Sequence, residues 1–231
     1  MTTKTYVEPD EVQVIEEAAE YLRDKLLIRL LFRLGCRVSE ALGIGLEDIN
    51  FEQGTVTIEH LKVRIKRSCP QCGARLSKMA KFCPNCGGRI EKLVTEPREH
   101  RRRRMLPVDD DTLRLIKEYV AQDGPVTRNG RKLLFGISRS HAWKLVTELA
   151  SQAGLGELVN AETGKVHRVS PHRFRDAFAI HAVKVDDSGD GLRLLQEHLG
   201  HQSITTTMKY RKVALQEQRE WFNKLWGRRE T

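Results

Sequence analysis

HQSITTTMKY, residues 201–210, is the stretch from which the rest of the chain is read. It follows Leu199 and Gly200 directly, so a Leu-Gly-His tripeptide stands nine residues ahead of Tyr210, and no other tyrosine comes after Tyr119. Upstream, PHRFR (residues 171–175) sets His172 and Arg175 three apart, and LGCRVSEAL (residues 34–42) carries Arg37 at the head of a short apolar-patterned segment. Two arginines, two histidines and a tyrosine are the groups needed to attack a phosphodiester without a metal. The phenolate is the nucleophile, and the guanidiniums hold the charge that develops on phosphorus.

The flanking residues carry a family likeness. LFRLGCRVSEALGIGLEDINFEQGTVTI (31–58), PHRFRDAFAIHAV (171–183) and LLQEHLGHQSITTTMKYRKV (194–213) stand in order and at suitable distances. In these stretches the chain resembles the tyrosine recombinases of the phage-integrase or Xer type. With the elements between them, they account for nearly everything outside residues 63–100. The resemblance implies a mainly α fold with a small antiparallel sheet (α+β), and a site-specific DNA recombinase or integrase that works through a 3′-phosphotyrosyl intermediate. It implies that Arg37 and Arg175 bind the scissile phosphate, with Glu40 supporting Arg37, and that His201 adds a third contact. His172 is then an acid–base or positioning group, and Tyr210 is the nucleophile. It further implies double-stranded DNA as partner, self-association into a tetrameric synapse, and no need for ATP or a catalytic metal. Relatives also carry a helical N-terminal clamp domain, which residues 1–9 are too few to supply. Two rival classes share these parts. A type IB topoisomerase-like enzyme would relax DNA with the same five residues, and a zinc-ribbon DNA-binding protein with a decayed site would only bind.

Four of the five cysteines form CPQCG (Cys69, Cys72) and CPNCG (Cys83, Cys86). Two CxxC pairs ten residues apart are zinc-ribbon spacing, and a structural zinc on these four thiolates is the expected cofactor. The competing reading is a pair of disulfides in a secreted protein, which the lack of a signal-peptide pattern argues against. Cys36, beside Arg37 in an apolar segment, reads as a small core residue. The cysteines interrupt a β-hairpin whose strands are expected at residues 55–59 and 101–108. The expected domains are therefore a catalytic domain (1–62 and 101–231) and an inserted zinc ribbon (63–100). In relatives the hairpin turn carries the lysine general acid. Because the insertion opens that turn, the candidates run in the order Lys62, Lys66, Lys92.

Residues 59–104 hold fourteen Lys and Arg against four Asp and Glu, a net +10 in a chain whose total is +9. A basic block on a near-neutral body fits phosphate-backbone binding, or else a solvated positive loop. No apolar run approaches the length of a membrane span, which leaves a cytoplasmic, nucleoid-associated protein as the expectation.

Apolar spacing predicts helix over residues 10–34, as two helices meeting near residue 21 with Asp10 as N-cap. Further helices are expected at 109–120, from Ser138 or Ser140 to about 153 with Trp143, Leu145 and Val146 facing in, and from Pro171 onward. In the last of these His181 is expected inside the fold, and Asp176 has no assigned role. A helix over 192–199 should end at Gly200, and Ser203 should cap the helix leading to Tyr210. Residues 124–131 and 154–165 read as loops, and 213–226 as an apolar helix that docks on a neighbouring subunit or on its own body.

Overall fold

The computed structural model describes residues 5–60, 63–77, 79–92, 94–99, 102–160 and 163–213, together with Phe222 and Leu225. The chain divides into two compact units: Met1–Ile58 with Arg104–Thr231, and Glu59–Arg103.

In the larger unit the long apolar pattern near the N-terminus does split in two, α1 (Pro9–Glu17) and α2 (Leu22–Arg33). The N-cap is Glu8 and not Asp10. The Glu11 carboxylate accepts the Glu8 amide proton at 2.8 Å, and Pro9 takes the first helical position, where its missing N–H costs nothing. Asp10 falls in the first turn. Helix α2 buries Leu26, Leu27, Ile28, Leu30, Leu31 and Phe32 on a broad apolar face set in the core, while Lys25, Arg29 and Arg33 keep the remaining side polar. Gly35, in the left-handed region at φ +53°, turns the chain into the four-residue helix α3 (Val38–Ala41).

A 3₁₀ turn then leads to β1 (Ile49–Asn50) and β2 (Thr55–His60). The smaller unit carries β3 (Val63–Ser68) and β4 (Val94–Glu99), antiparallel with Val63 opposite Glu99 and Ser68 opposite Val94. The chain returns through β5 (Arg102–Pro107), which lies beside β2 in a three-stranded sheet of order β1-β2-β5. In chain order, a second strand pair, in a sheet of its own, thus stands between β2 and β5 and encloses the cysteines.

Helix α4 (Asp110–Gln122) is capped by Asp109, whose carboxylate accepts the Thr112 amide proton. The stretch read as a loop after it is a small hairpin, β6 (Val126–Arg128) and β7 (Arg131–Leu133), turning through Asn129-Gly130, both at positive φ. Helix α5 (Arg139–Gln152) starts at Ser138, which accepts from His141 N–H. Val146 faces in with Ala142 and Ala150, but Trp143 is 47% exposed, contrary to expectation. On α5 the inward stripe is set by the small residues, and the large indole lies off it. The second predicted loop also contains a strand pair, β8 (Glu157–Val159) and β9 (Val166–Arg168). Helices α6 (Pro171–Val185), α7 (Gly189–Leu199) and α8 (Ile204–Met208) complete the unit. Gly200 ends α7 at φ +66°, as its position predicts. The expected helix at 213–226 lies outside the described residues apart from Val213, Phe222 and Leu225. Among the described residues no helix is long and apolar enough to cross a membrane. The result is a mainly helical fold with small antiparallel sheets.

Candidate active site and cysteine cluster

Arg37 is the N-cap of α3, so its side chain leaves the helix at its first turn. One carboxylate, Glu40, organises the region around it. Glu40 is buried, and its Oε2 accepts the Arg37 amide proton at 2.9 Å while its Oε1 accepts from the Arg37 guanidinium at 2.9 Å. A further partner is Arg104 of β5, which donates to Oε2 at 2.8 Å. Arg104 was not singled out in the sequence, where it is the last of a four-arginine run. Its side chain is only 13% exposed, and its Nε has no hydrogen-bond partner. Cys36 is fully buried beside this group, and burial pushes its thiol up to about 12, in keeping with a packing role.

Arg175 lies on the inner side of α6, 3% exposed, and donates to two main-chain carbonyls, Gly35 O at 2.7 Å and Leu199 O at 2.6 Å. These two carbonyls belong to the chain turns that end α2 and α7, so the guanidinium is fixed by the backbone of two helix ends. Burial, then the charge of Arg37, lowers its pKa to about 10, which leaves it cationic at neutral pH. A side chain on Gly35 has no room, because a Cβ would stand 2.4 Å from the Phe178 ring.

Directly after the Gly200 turn, His201 Nδ1 meets the buried Thr207 hydroxyl at 2.9 Å. Burial, followed by Arg175, Arg37 and Arg104, pushes His201 down to about 4, so the ring is neutral at physiological pH. With the hydroxyl donating to Nδ1, the ring proton sits on Nε2, and His201 is a neutral donor in a cationic surrounding. The Tyr210 ring lies nearly parallel to that of His201, with centroids 6.2 Å apart and planes 16° apart.

The Tyr210 hydroxyl donates to Asp176 Oδ1 at 3.1 Å. His172, one turn back on α6, brings Nδ1 to 3.4 Å from the same oxygen, and Arg173 pairs with Oδ2 at 3.1 Å. The hydrogen bond to Asp176 raises the His172 pKa. Burial works to raise Asp176, but His172, Arg173 and the Tyr210 hydroxyl hold its pKa below the usual carboxylate range. Burial and then the Asp176 charge raise the Tyr210 phenol well above its ordinary value, against the pull of Arg175 and Arg37. His172 and Arg175, three apart on α6, differ in burial, since His172 is 73% exposed while Arg175 is buried. His181, expected inside, is on the exposed side of α6. Asp176 was passed over in the sequence, although its place four residues after His172 was a legible sign of contact.

Lys62 lies outside the described residues, as does the side chain of Lys66; Lys92 is exposed. In the smaller unit the four cysteine sulfurs lie within 4.8 Å of one another. Cys69 Sγ and Cys86 Sγ are 3.7 Å apart, and Cys72 Sγ and Cys83 Sγ are 3.5 Å apart. A disulfide needs about 2.05 Å. A tetrahedral zinc with Zn–S bonds of about 2.3 Å needs sulfur–sulfur edges of about 3.8 Å. The donor set and spacing therefore fit a tetrahedral thiolate metal.

The two cysteine loops repeat one design. Cys69 N–H donates to Ala74 O, and Gly73 N–H to Cys69 O, both at 2.9 Å. Fourteen positions on, Cys83 N–H donates to Gly88 O, and Gly87 N–H to Cys83 O, again at 2.9 Å. Gly73 and Gly87 share a positive φ of +70° and +71°. The isolated bridges Ser68–Arg75 and Phe82–Arg89 keep the same step.

The sequence profile of the phage integrase family matches residues 5–91 and 71–217. Tyrosine recombinase XerD of Neisseria meningitidis serogroup B is 31% identical over 201 residues, 84% of this chain and 51% of that protein. Tyrosine recombinase XerA of Pyrococcus horikoshii is 27% identical over 215 residues, 93% of this chain and 59% of that protein. The chain thus spans about half the length of the curated relatives it matches. Among solved structures, the crystal structure of XerA recombinase has a TM-score of 0.61 at 18% identity, over 99% of this chain and 66% of the other. The post-cleavage complex of XerH site-specific recombinase with palindromic difH has a TM-score of 0.59 at 22% identity, over 98% and 54%. Both have the same fold as this chain.

Proposed function

The chain belongs to the phage integrase family, the tyrosine recombinases, and from that premise we propose that it is a site-specific recombinase which cuts and rejoins duplex DNA through Tyr210. What carries the reading is the convergence of Arg37, Arg175, His201 and Tyr210, from three separate parts of the chain, close enough for the cations to act on their neighbours' protonation. Three guanidiniums, Arg37, Arg104 and Arg175, surround one buried carboxylate, Glu40. The surplus charge suits a phosphate.

In this reading Arg37 and Arg175 bind the non-bridging oxygens of one phosphate, and neutral His201 donates to it from Nε2. Tyr210 attacks in line. The Oη–P bond forms, the P–O5′ bond breaks, and the leaving 5′ oxygen takes a proton from Lys62. His172 assists proton transfer around the tyrosine. The 5′-hydroxyl of a partner strand then reverses these steps and completes strand exchange. One phosphate ester is traded for another, so ATP has no part to play, and the guanidiniums supply the charge stabilisation that a metal would otherwise give. A tetramer on DNA would supply the partner strand, in line with relatives named as recombinases rather than as relaxing enzymes.

Cys69, Cys72, Cys83 and Cys86 would hold a structural zinc. Among the described residues the cluster around them buries only Leu76 besides two of the cysteines, too little apolar surface to fold without the metal. The ribbon's work is extra grip on the DNA backbone.

Covalent trapping tests the reading. The protein is mixed, in EDTA, with nicked duplexes of randomised sequence. An SDS-resistant adduct that is absent with Tyr210→Phe is the expected result. An adduct that persists in that variant overturns Tyr210 as nucleophile.

A further inference from the structure

We propose that Asp176 is a catalytic residue of this site, the base that takes the proton of Tyr210 as the tyrosine attacks phosphorus. The inference rests on the reading of Tyr210 as the nucleophile. Three observations carry it. The first is contact, because the Tyr210 hydroxyl donates to Asp176 Oδ1 at 3.1 Å, and so the carboxylate touches a reacting atom. The second is support. Asp176 lies on α6 beside Arg175, is 17% exposed, and has its oxygens held by His172 at 3.4 Å and Arg173 at 3.1 Å. Those two partners offset the cost of an anion near a phosphate and fix the carboxylate by i,i+4 and i,i+3 spacing on one helix.

The third is that neither neighbouring histidine takes the Tyr210 proton directly, so the part His172 plays in proton transfer runs through Asp176. His201 stacks on the Tyr210 ring and its Nδ1 meets Thr207, while the Tyr210 hydroxyl donates to Asp176 and not to this ring. His172 turns its Nδ1 toward Asp176 and is made more basic by that contact, which favours the ring as a donor to the carboxylate.

The proton balance is simple. As Oη bonds to phosphorus, its proton passes to Asp176 Oδ1, while the P–O5′ electron pair leaves on the 5′ oxygen, protonated by the general acid. A phenol is a far weaker acid than a carboxylic acid. The transfer becomes favourable only as Oη becomes an ester oxygen and loses its basicity, so proton transfer and attack proceed together. On rejoining, the Asp176 proton returns to Tyr210.

The test separates the nucleophile's proton from the leaving group's. Asp176→Asn keeps an oxygen that can accept the Tyr210 hydrogen bond but cannot take the proton. Adduct formation on nicked duplexes with randomised flanks should slow by on the order of a hundredfold or more, and Asp176→Ala should be no worse. A matched duplex with sulfur at the bridging 5′ position needs no proton on its leaving group, so it should leave the Asp176→Asn defect in place. Phenol titration followed by absorbance, with Tyr210→Phe as blank, should move down in Asp176→Asn, which shows that the contact exists in the folded wild-type protein. An Asp176→Asn rate within about threefold of wild type overturns the proposal, as does recovery on the sulfur substrate or an unmoved phenol titration. If the wild-type protein forms no adduct with Tyr210, the underlying reading fails and this inference fails with it. If the wild type forms one and Asp176→Asn matches it, only this inference fails.

Discussion

His172 and His201 stand in one site and are driven in opposite directions. Asp176 raises the first, and burial beside three guanidiniums pushes the second down to about 4. Imidazole proton shifts followed by NMR should place the His201 midpoint near pH 4 and that of His172 above the ordinary value of about 6.5. The signs carry over to stability. His201 binds its proton more weakly folded than unfolded, so its contribution is full above about pH 6.5 and drains away as pH falls toward 4. His172 binds more tightly when folded, so its contribution is full below about pH 6.5 and is lost as pH rises through its raised pKa. Glu40 offers a second check at this scale. Glu40→Ala leaves Arg37 and Arg104 facing each other, and denaturant unfolding should show a loss of about 3 kcal/mol. Glu40's pairing with Arg37 was legible because three residues separate them on a helix. Its pairing with Arg104 was not, since the two are 64 positions apart and no local rule joins them. Asp176 was missed for a related reason. Its partner Tyr210 is 34 residues on, and a carboxylate among basic residues reads as surface charge until the fold closes over it.

At the level of elements, Gly35 matters out of proportion to its size. It ends α2, adopts a positive φ, leaves space for Phe178, and gives its carbonyl to Arg175. Gly35→Ala should cost about 3 kcal/mol from overpacking and backbone strain together, read by thermal melting, and should slow adduct formation by displacing Arg175. The helices were legible because α1, α2, α6 and α7 keep apolar residues at helical spacing and end at residues suited to ending them. The small hairpins were not. Strands of three residues are too short to show an alternation, and β6 is exposed throughout, although Asn129-Gly130 was a turn signal that could have been used. Trp143 misled because size was taken for burial. An indole covers surface as readily as it fills a core, and on α5 the close contacts are made by Ala142, Val146 and Ala150.

For the whole molecule, the two units should respond to different agents. A strong chelator should unfold the smaller unit alone, with tryptophan fluorescence and most helical circular dichroism retained, because all three tryptophans and the helices lie in the larger one. A single transition that abolishes both signals would contradict this. Residues 59–104 carry a net +10 of the chain's +9. Replacing the ribbon by a short turn should therefore flatten the dependence of DNA affinity on salt while leaving the Tyr210 chemistry in place. The cysteine pairs announced this unit in the sequence; the strand pair β3–β4 beneath them was hidden by its charged, proline-bearing composition. Two loops agree bond for bond at a step of fourteen residues, and each brings two sulfurs. Neither loop alone holds a four-sulfur shell, so each is half of a socket whose other half is its own repeat.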